Sequence, residues 1–183
     1  MKYAYWKWDK TIPKEFCKLI LQNVDWSKEI TAKINIVDGE KGVENLDRRK
    51  TNIVWEDRFS VVGCIADKYI RAANVSAGWN YDIEDTENIQ IGKYENNGFY
   101  NWHTDTPVKK ITDNPRKLSF SLLLNDPKDF EGGNLEFSIL SEQPIIEQGS
   151  IIVFPSILEH RVSPVVSGVR YSAVTWMRGA NFK

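Results

Sequence analysis

The residues best suited to chemistry in this 183-residue chain are its two histidines, His103 and His160, and the carboxylate beside the first. Asp105 follows His103 by two positions, in Trp102-His103-Thr104-Asp105. On an extended segment residues i and i+2 point to the same side, so an imidazole nitrogen and a carboxylate oxygen can converge on one point. His160 lies near the start of a later candidate strand, just after the apolar run Ile151 to Phe154. Two imidazoles and one carboxylate on one face of a metal leave three positions open, a ligand set that suits Fe(II). An isolated His-x-Asp pair is a weak signal. Its commoner meaning is a surface histidine beside a solvated aspartate.

Two further residues favour a site. Arg170 follows His160 by ten positions, inside Val169-Arg170-Tyr171. If a strand starts near His160 and Ser167-Gly168 turns the chain back, Arg170 returns beside the metal, where a guanidinium can hold a carboxylate by two parallel hydrogen bonds. Tyr94, nine residues before His103 at the end of a candidate strand, could give that carboxylate another donor. Taken singly, Arg170 also reads as a surface strand residue and Tyr94 as β-core packing.

The elements that must position these residues change character along the chain. Residues 1–76 read as a helical support region. Pro13 suits the first turn of a helix carrying Phe16, Leu19, Ile20 and Val24 at helical spacing. A second helix fits residues 56–74, with the stripe Phe59, Val62, Ala66, Tyr69, Ile70 and Ala73. Residues 38–52, which include the basic cluster Arg48, Arg49 and Lys50, read as a solvated loop. With residues 107–115 they are candidate coverings over a site. Residues 77–183 read as a strand-rich core, with strands at 79–83, 89–94, 117–124, 134–139, 150–154 and 169–177. Helices followed by strands argue for one α+β domain over 1–183, its helices packed on the larger sheet of a sandwich or barrel; a double-sheet jelly roll closes such strands with few open edges.

Composition bounds the function. A net charge of -1 offers no bulk field for nucleic acid, so no nucleic-acid partner is expected. Residues Met1 to Trp8 do not resemble a signal peptide, and no apolar run is long enough to span a bilayer, so a cytoplasmic location without membrane attachment is expected. Cys17 and Cys64 read as small residues in a reducing compartment, although sequence alone leaves a disulfide between them open. Most of the seven tryptophans are expected in the core. Tyr3, Tyr5, Trp6 and Trp8 fit core packing or an edge strand better than substrate recognition.

The pattern Tyr94-x-x-x-Gly98-x-Tyr100-x-x-His103-x-Asp105, the run Arg116 to Asn125 followed by Glu131 to Phe137, and His160 to Val165 with Gly168 and Arg170 together resemble the prolyl 4-hydroxylase-like branch of the 2-oxoglutarate/Fe(II) dioxygenases. The small bacterial and phage-encoded members and the PKHD-type hydroxylases are the nearest in pattern. The resemblance implies a double-stranded β-helix. It implies Fe(II) held by His103, Asp105 and His160, with 2-oxoglutarate and O2 as cosubstrates and ascorbate as a supporting reductant. It assigns Arg170 and Tyr94 to the far carboxylate of 2-oxoglutarate, and Tyr100, Arg116 and Trp176 to the face that meets a peptide or protein substrate. Animal and plant members usually carry lysine at the Arg170 position, and arginine is nearer the PKHD-type pattern. The chain ends soon after Trp176, where PKHD-type proteins continue, and the loop before Arg116 differs in length. The implied activity is hydroxylation of a prolyl residue by a monomer or small homo-oligomer. Hydroxylation of a small molecule or another side chain, and a catalytically silent jelly-roll binding module, are the alternatives.

Overall fold

The computed structural model describes residues 3–33, 44–106 and 114–181. The N-terminal part builds β1 (Trp6–Trp8), α1 (Lys14–Asn23), β2 (Ile30–Thr31), β3 (Arg49–Lys50), β4 (Asn52–Glu56) and α2 (Val61–Ser76). The remainder builds β5 (Ile89–Tyr94), β6 (Phe99–His103), β7 (Arg116–Leu123), β8 (Phe130–Gly132), β9 (Leu135–Phe137), β10 (Ile151–Pro155), β11 (His160–Val162), β12 (Val165–Gly168) and β13 (Arg170–Arg178). A seven-stranded sheet runs β1-β10-β7-β13-β5-β4-β2, a four-stranded sheet runs β3-β6-β11-β9, and β12 pairs with β8. All recorded pairings are antiparallel. This is the α+β jelly roll expected from sequence, with its helices on the larger sheet.

The helices are held by their apolar faces. Ser60 caps α2 by accepting the Gly63 N–H at 3.2 Å. Val62, Ala66, Ile70 and Ala73 then recur on one buried face, in a core shared with Leu118, Phe120 and Leu122 of β7 and Ile151 and Val153 of β10. Gly63 is needed for close approach, because a Cβ there would lie 2.0 Å from the Arg58 carbonyl oxygen. Cys17 of α1 is buried in the same core and Cys64 is exposed; both thiols are free.

Several expectations need correction. Residues 1–76 are not purely helical support, since they contribute β1, β2 and β4 to the large sheet and β3 to the small one. Residues 49–50 and 52–56 are strands, so the loop expected over 38–52 fails there; residues 38–43 and 107–113 lie outside the described residues. Helix α2 starts at Val61, and Phe59, assigned to its buried stripe, is 75% exposed. The expected strand at 79–83 does not form, because its backbone serves the end of α2. Trp79 and Asn80 donate to the Asn74 carbonyl, and the Asn74 side chain brackets Tyr81. The aromatic N-terminal segment does form an edge strand, β1, with Trp8 packed edge-on against Tyr69 of α2.

Candidate metal and cosubstrate site

Strand register brings the two histidines together. In the small sheet His160 on β11 lies directly opposite His103 on β6, and their ring centroids are 4.2 Å apart. Asp105 lies just past β6, where the chain leaves the small sheet and crosses to the large one. Its N–H and that of Thr106 both donate to the Ser156 carbonyl beyond β10, at 2.9 and 3.1 Å. That tether turns the carboxylate back between the sheets. Asp105 Oδ1 lies 3.6 Å from His103 Nε2, and Oδ2 lies 3.5 Å from His160 Nε2. The three candidate donor groups fall within 4.8 Å of one another.

The surrounding bonds leave the right atoms free. His103 Nδ1 bonds the Asn101 carbonyl at 2.7 Å, and His160 Nδ1 bonds the Leu158 carbonyl at 2.9 Å. A carbonyl can only accept, so each Nδ1 carries a proton, and in the neutral tautomer this leaves the lone pair on Nε2. Burial pushes the His160 imidazole down to about 4, which leaves it neutral near pH 7. Burial opposes ionisation of Asp105, but the positive charge that His160 and His103 carry when protonated outweighs it and holds the carboxyl well below the usual carboxylate range. Ser119 on β7 donates to Asp105 Oδ2 at 2.6 Å, and its Oγ lies 2.8 Å from Ser156 Oγ. Phe137 and Phe154 pack around the His160 ring.

A buried cation shares the cavity. Arg170 opens β13 directly opposite Tyr94 on β5, and its side chain borders the cavity lined by the two histidines and Asp105. It is 3% exposed. Its recorded hydrogen bond runs from Nη1 to Ser172 Oγ at 2.9 Å, and its guanidinium carbon lies 5.3 Å from the centre of the Tyr94 ring. Among the described residues no carboxylate pairs with it. Burial pulls its pKa below the ordinary value, yet a guanidinium remains charged. Gly133 makes room for it: a Cβ there would lie 2.8 Å from Arg170 Cδ, and the backbone adopts φ +63°.

The residues expected at the substrate face divide. Tyr100 lines the cavity and stacks on His103, centroid to centroid 3.5 Å; burial pushes its hydroxyl up to about 12. Trp176 lines the cavity too. Arg116 does not. Its guanidinium makes two hydrogen bonds to Glu87, at 2.7 and 2.6 Å, and covers the Trp176 ring at 3.7 Å. It braces Trp176 and does not border the cavity as a free peptide ligand would.

Sequence reasoning missed Ser119, Ser156 and Arg49. Alternation in Leu118-Ser119-Phe120-Ser121, with small polar residues between core residues, was a usable signal for Ser119. Arg49, read as part of a solvated basic loop, is 6% exposed and lines the cavity. Nothing in the Arg48-Arg49-Lys50 run distinguishes it.

The jelly roll thus carries a convergent His-Asp-His cluster able to hold a metal ion. Residues 89–178 match the 2OG-Fe(II) oxygenase superfamily, and the chain resembles prolyl 4-hydroxylase-like proteins of that kind. The family implies Fe(II), 2-oxoglutarate and O2. A PKHD-type hydroxylase from Synechococcus sp. (strain CC9902) is 40% identical over 97 residues, 52% of this chain and 43% of that protein. One from Thermosynechococcus vestitus is 41% identical over 94 residues, 49% of this chain and 42% of that protein. The matched part thus spans less than half the length of these relatives. Among solved structures, a viral collagen prolyl hydroxylase from Paramecium Bursaria Chlorella virus-1 superposes with a TM-score of 0.75 at 18% identity, over 97% of both chains. A Pseudomonas putida prolyl-4-hydroxylase gives 0.70 at 20% identity, over 97% of this chain and 93% of its own. At such identities the likeness is one of fold. Among the described residues no helix is long and apolar enough to cross a membrane.

Proposed function

We propose that this chain is an Fe(II)- and 2-oxoglutarate-dependent hydroxylase acting on a prolyl residue of a peptide or protein. The observation that carries the reading is the pairing of a buried His-Asp-His cluster with a buried, carboxylate-free Arg170 in one cavity. The residues fit the absent groups. Two neutral Nε2 atoms and one carboxylate suit Fe(II) and leave it a net positive charge for an anionic chelate. Arg170 supplies the charge that matches the far carboxylate of 2-oxoglutarate, with Tyr94 as a second donor.

When bound, iron with 2-oxoglutarate and O2 supplies an oxidative decarboxylation that yields succinate and CO2 and hydroxylates a C–H bond. The protein's share is positioning. His103 and His160 present Nε2 because backbone carbonyls hold their other nitrogens. Ser119 orients the Asp105 carboxylate. Phe137 and Phe154 pack against the His160 ring and help fix its orientation. Tyr100 and Trp176 offer aromatic surfaces to an extended substrate.

The prolyl assignment is supported by the likeness of fold to prolyl hydroxylases and by these two aromatic residues. Succinate release by purified protein with Fe(II), ascorbate and proline-rich peptides tests it. Peptide-stimulated turnover is expected. Turnover confined to free amino acids or other small molecules would replace the prolyl-peptide assignment while keeping the hydroxylase.

A further inference from the structure

Arg49 is a buried cation to which the proposed chemistry gives no role. It sits on β3 opposite Tyr100 and borders the same cavity as His103 and Arg170. Nη2 donates to Gln90 Oε1 at 3.0 Å, and the guanidinium lies 4.6 Å from the centre of the Tyr100 ring, which itself stacks on His103. Nε is buried and, among the described residues, has no hydrogen-bond partner. A neutral amide and an aromatic ring do not neutralise a guanidinium, and an unmatched buried charge is costly. Even the less deeply buried Arg116 and Arg161 have carboxylate partners, Glu87 and Glu136.

Charge counting around the cavity points the same way. Two guanidiniums and a divalent iron against one carboxylate leave three positive charges. The 2-oxoglutarate dianion cancels two of them at the metal and at Arg170. One positive charge is left, and Arg49 is the group without an anion.

We propose that Arg49 binds a carboxylate carried by the substrate close to the carbon that is hydroxylated. The substrate class is therefore anionic: a free proline-type amino acid, or a peptide with a carboxylate beside the target residue. This inference rests on the hydroxylase reading above.

Two matched probe pairs test it by binding, with Mn(II) and 2-oxoglutarate present and oxygen excluded. One pair is L-proline and L-prolinamide; the other is acetyl-Pro-Glu-amide and acetyl-Pro-Gln-amide. In the wild type the acid of at least one pair should bind roughly tenfold or more tightly than its amide. A preference in the first pair identifies a free amino acid, and one confined to the second identifies a peptide. R49Q should lose that preference yet keep the rise in Tm given by Mn(II) with 2-oxoglutarate. R49K, which retains charge without the planar fork, should keep part of the preference and guards against a folding defect in R49Q. Equal binding of acid and amide, no binding of any probe, or a preference that survives in R49Q would overturn the proposal and leave the hydroxylase reading standing. Loss of the 2-oxoglutarate response in R49Q would also overturn it, by assigning Arg49 to the cosubstrate. A wild type that gives no response to Mn(II) with 2-oxoglutarate would overturn both.

Discussion

Strands β7 and β13 run antiparallel, and opposite ends of the pair hold arginines in opposite electrostatic conditions. At one end Arg116 faces Arg178 across the pair, and Glu87 binds both, at 2.6 and 2.7 Å. At the other end Arg170 is buried with a serine hydroxyl and a tyrosine ring for company. The first arginine already has a carboxylate partner, shared with Arg178, and its guanidinium covers Trp176. The second holds a charge that the protein does not cancel, which is the condition expected of a group awaiting an anionic ligand. Sequence resemblance assigns both to ligand binding; only their partners tell them apart.

The largest effect should come from Arg170→Met. Removing that charge should weaken 2-oxoglutarate binding about a hundredfold in calorimetry. Stability without ligand should move by no more than about 1 kcal/mol, because no protein carboxylate loses its partner. A large loss of stability with unchanged 2-oxoglutarate affinity would erase the contrast. Glu87→Gln is the reciprocal experiment. It should cost about 2 kcal/mol of unfolding free energy in urea, less than for a fully buried pair because these side chains are partly exposed. Its effect on 2-oxoglutarate affinity should be slight. Ser119→Ala removes a charge-assisted hydrogen bond from Asp105 and should lower metal affinity about tenfold, measured by Mn(II) titration. Tyr94→Phe should be the mildest change, lowering 2-oxoglutarate affinity by about fivefold if the hydroxyl serves that carboxylate. An unchanged value would confine Tyr94 to packing against Arg170.

Much of the arrangement was legible in the sequence where local spacing carried the information. His103-x-Asp105 sits on and just past an extended strand, and Arg170 opens the strand after the Gly168 turn, as the spacing implies. The apolar period of α2 was readable for the same reason. Features made by distant chain segments were not. Arg49 and Arg116 each lie near aromatic residues in sequence-distant strands. Whether a guanidinium meets Glu87 or a bare cavity depends on register between strands, which a run such as Arg48-Arg49-Lys50 does not encode. Strand β4 was hidden for a related reason. Asn52 to Glu56 is short and next to a helix signal, and pairing with β5 makes it a strand.

The central claim is that His103, Asp105 and His160 form a metal centre coupled to Arg170 through one small anionic cosubstrate. Calorimetric titration of 2-oxoglutarate with and without Mn(II), on wild type, Asp105→Ala and Arg170→Met, tests it most directly. Tight binding should require both the metal and Arg170, and Asp105→Ala should abolish the dependence on metal. Binding of 2-oxoglutarate by wild type that is indifferent to Mn(II), or undetectable in its presence, would contradict it.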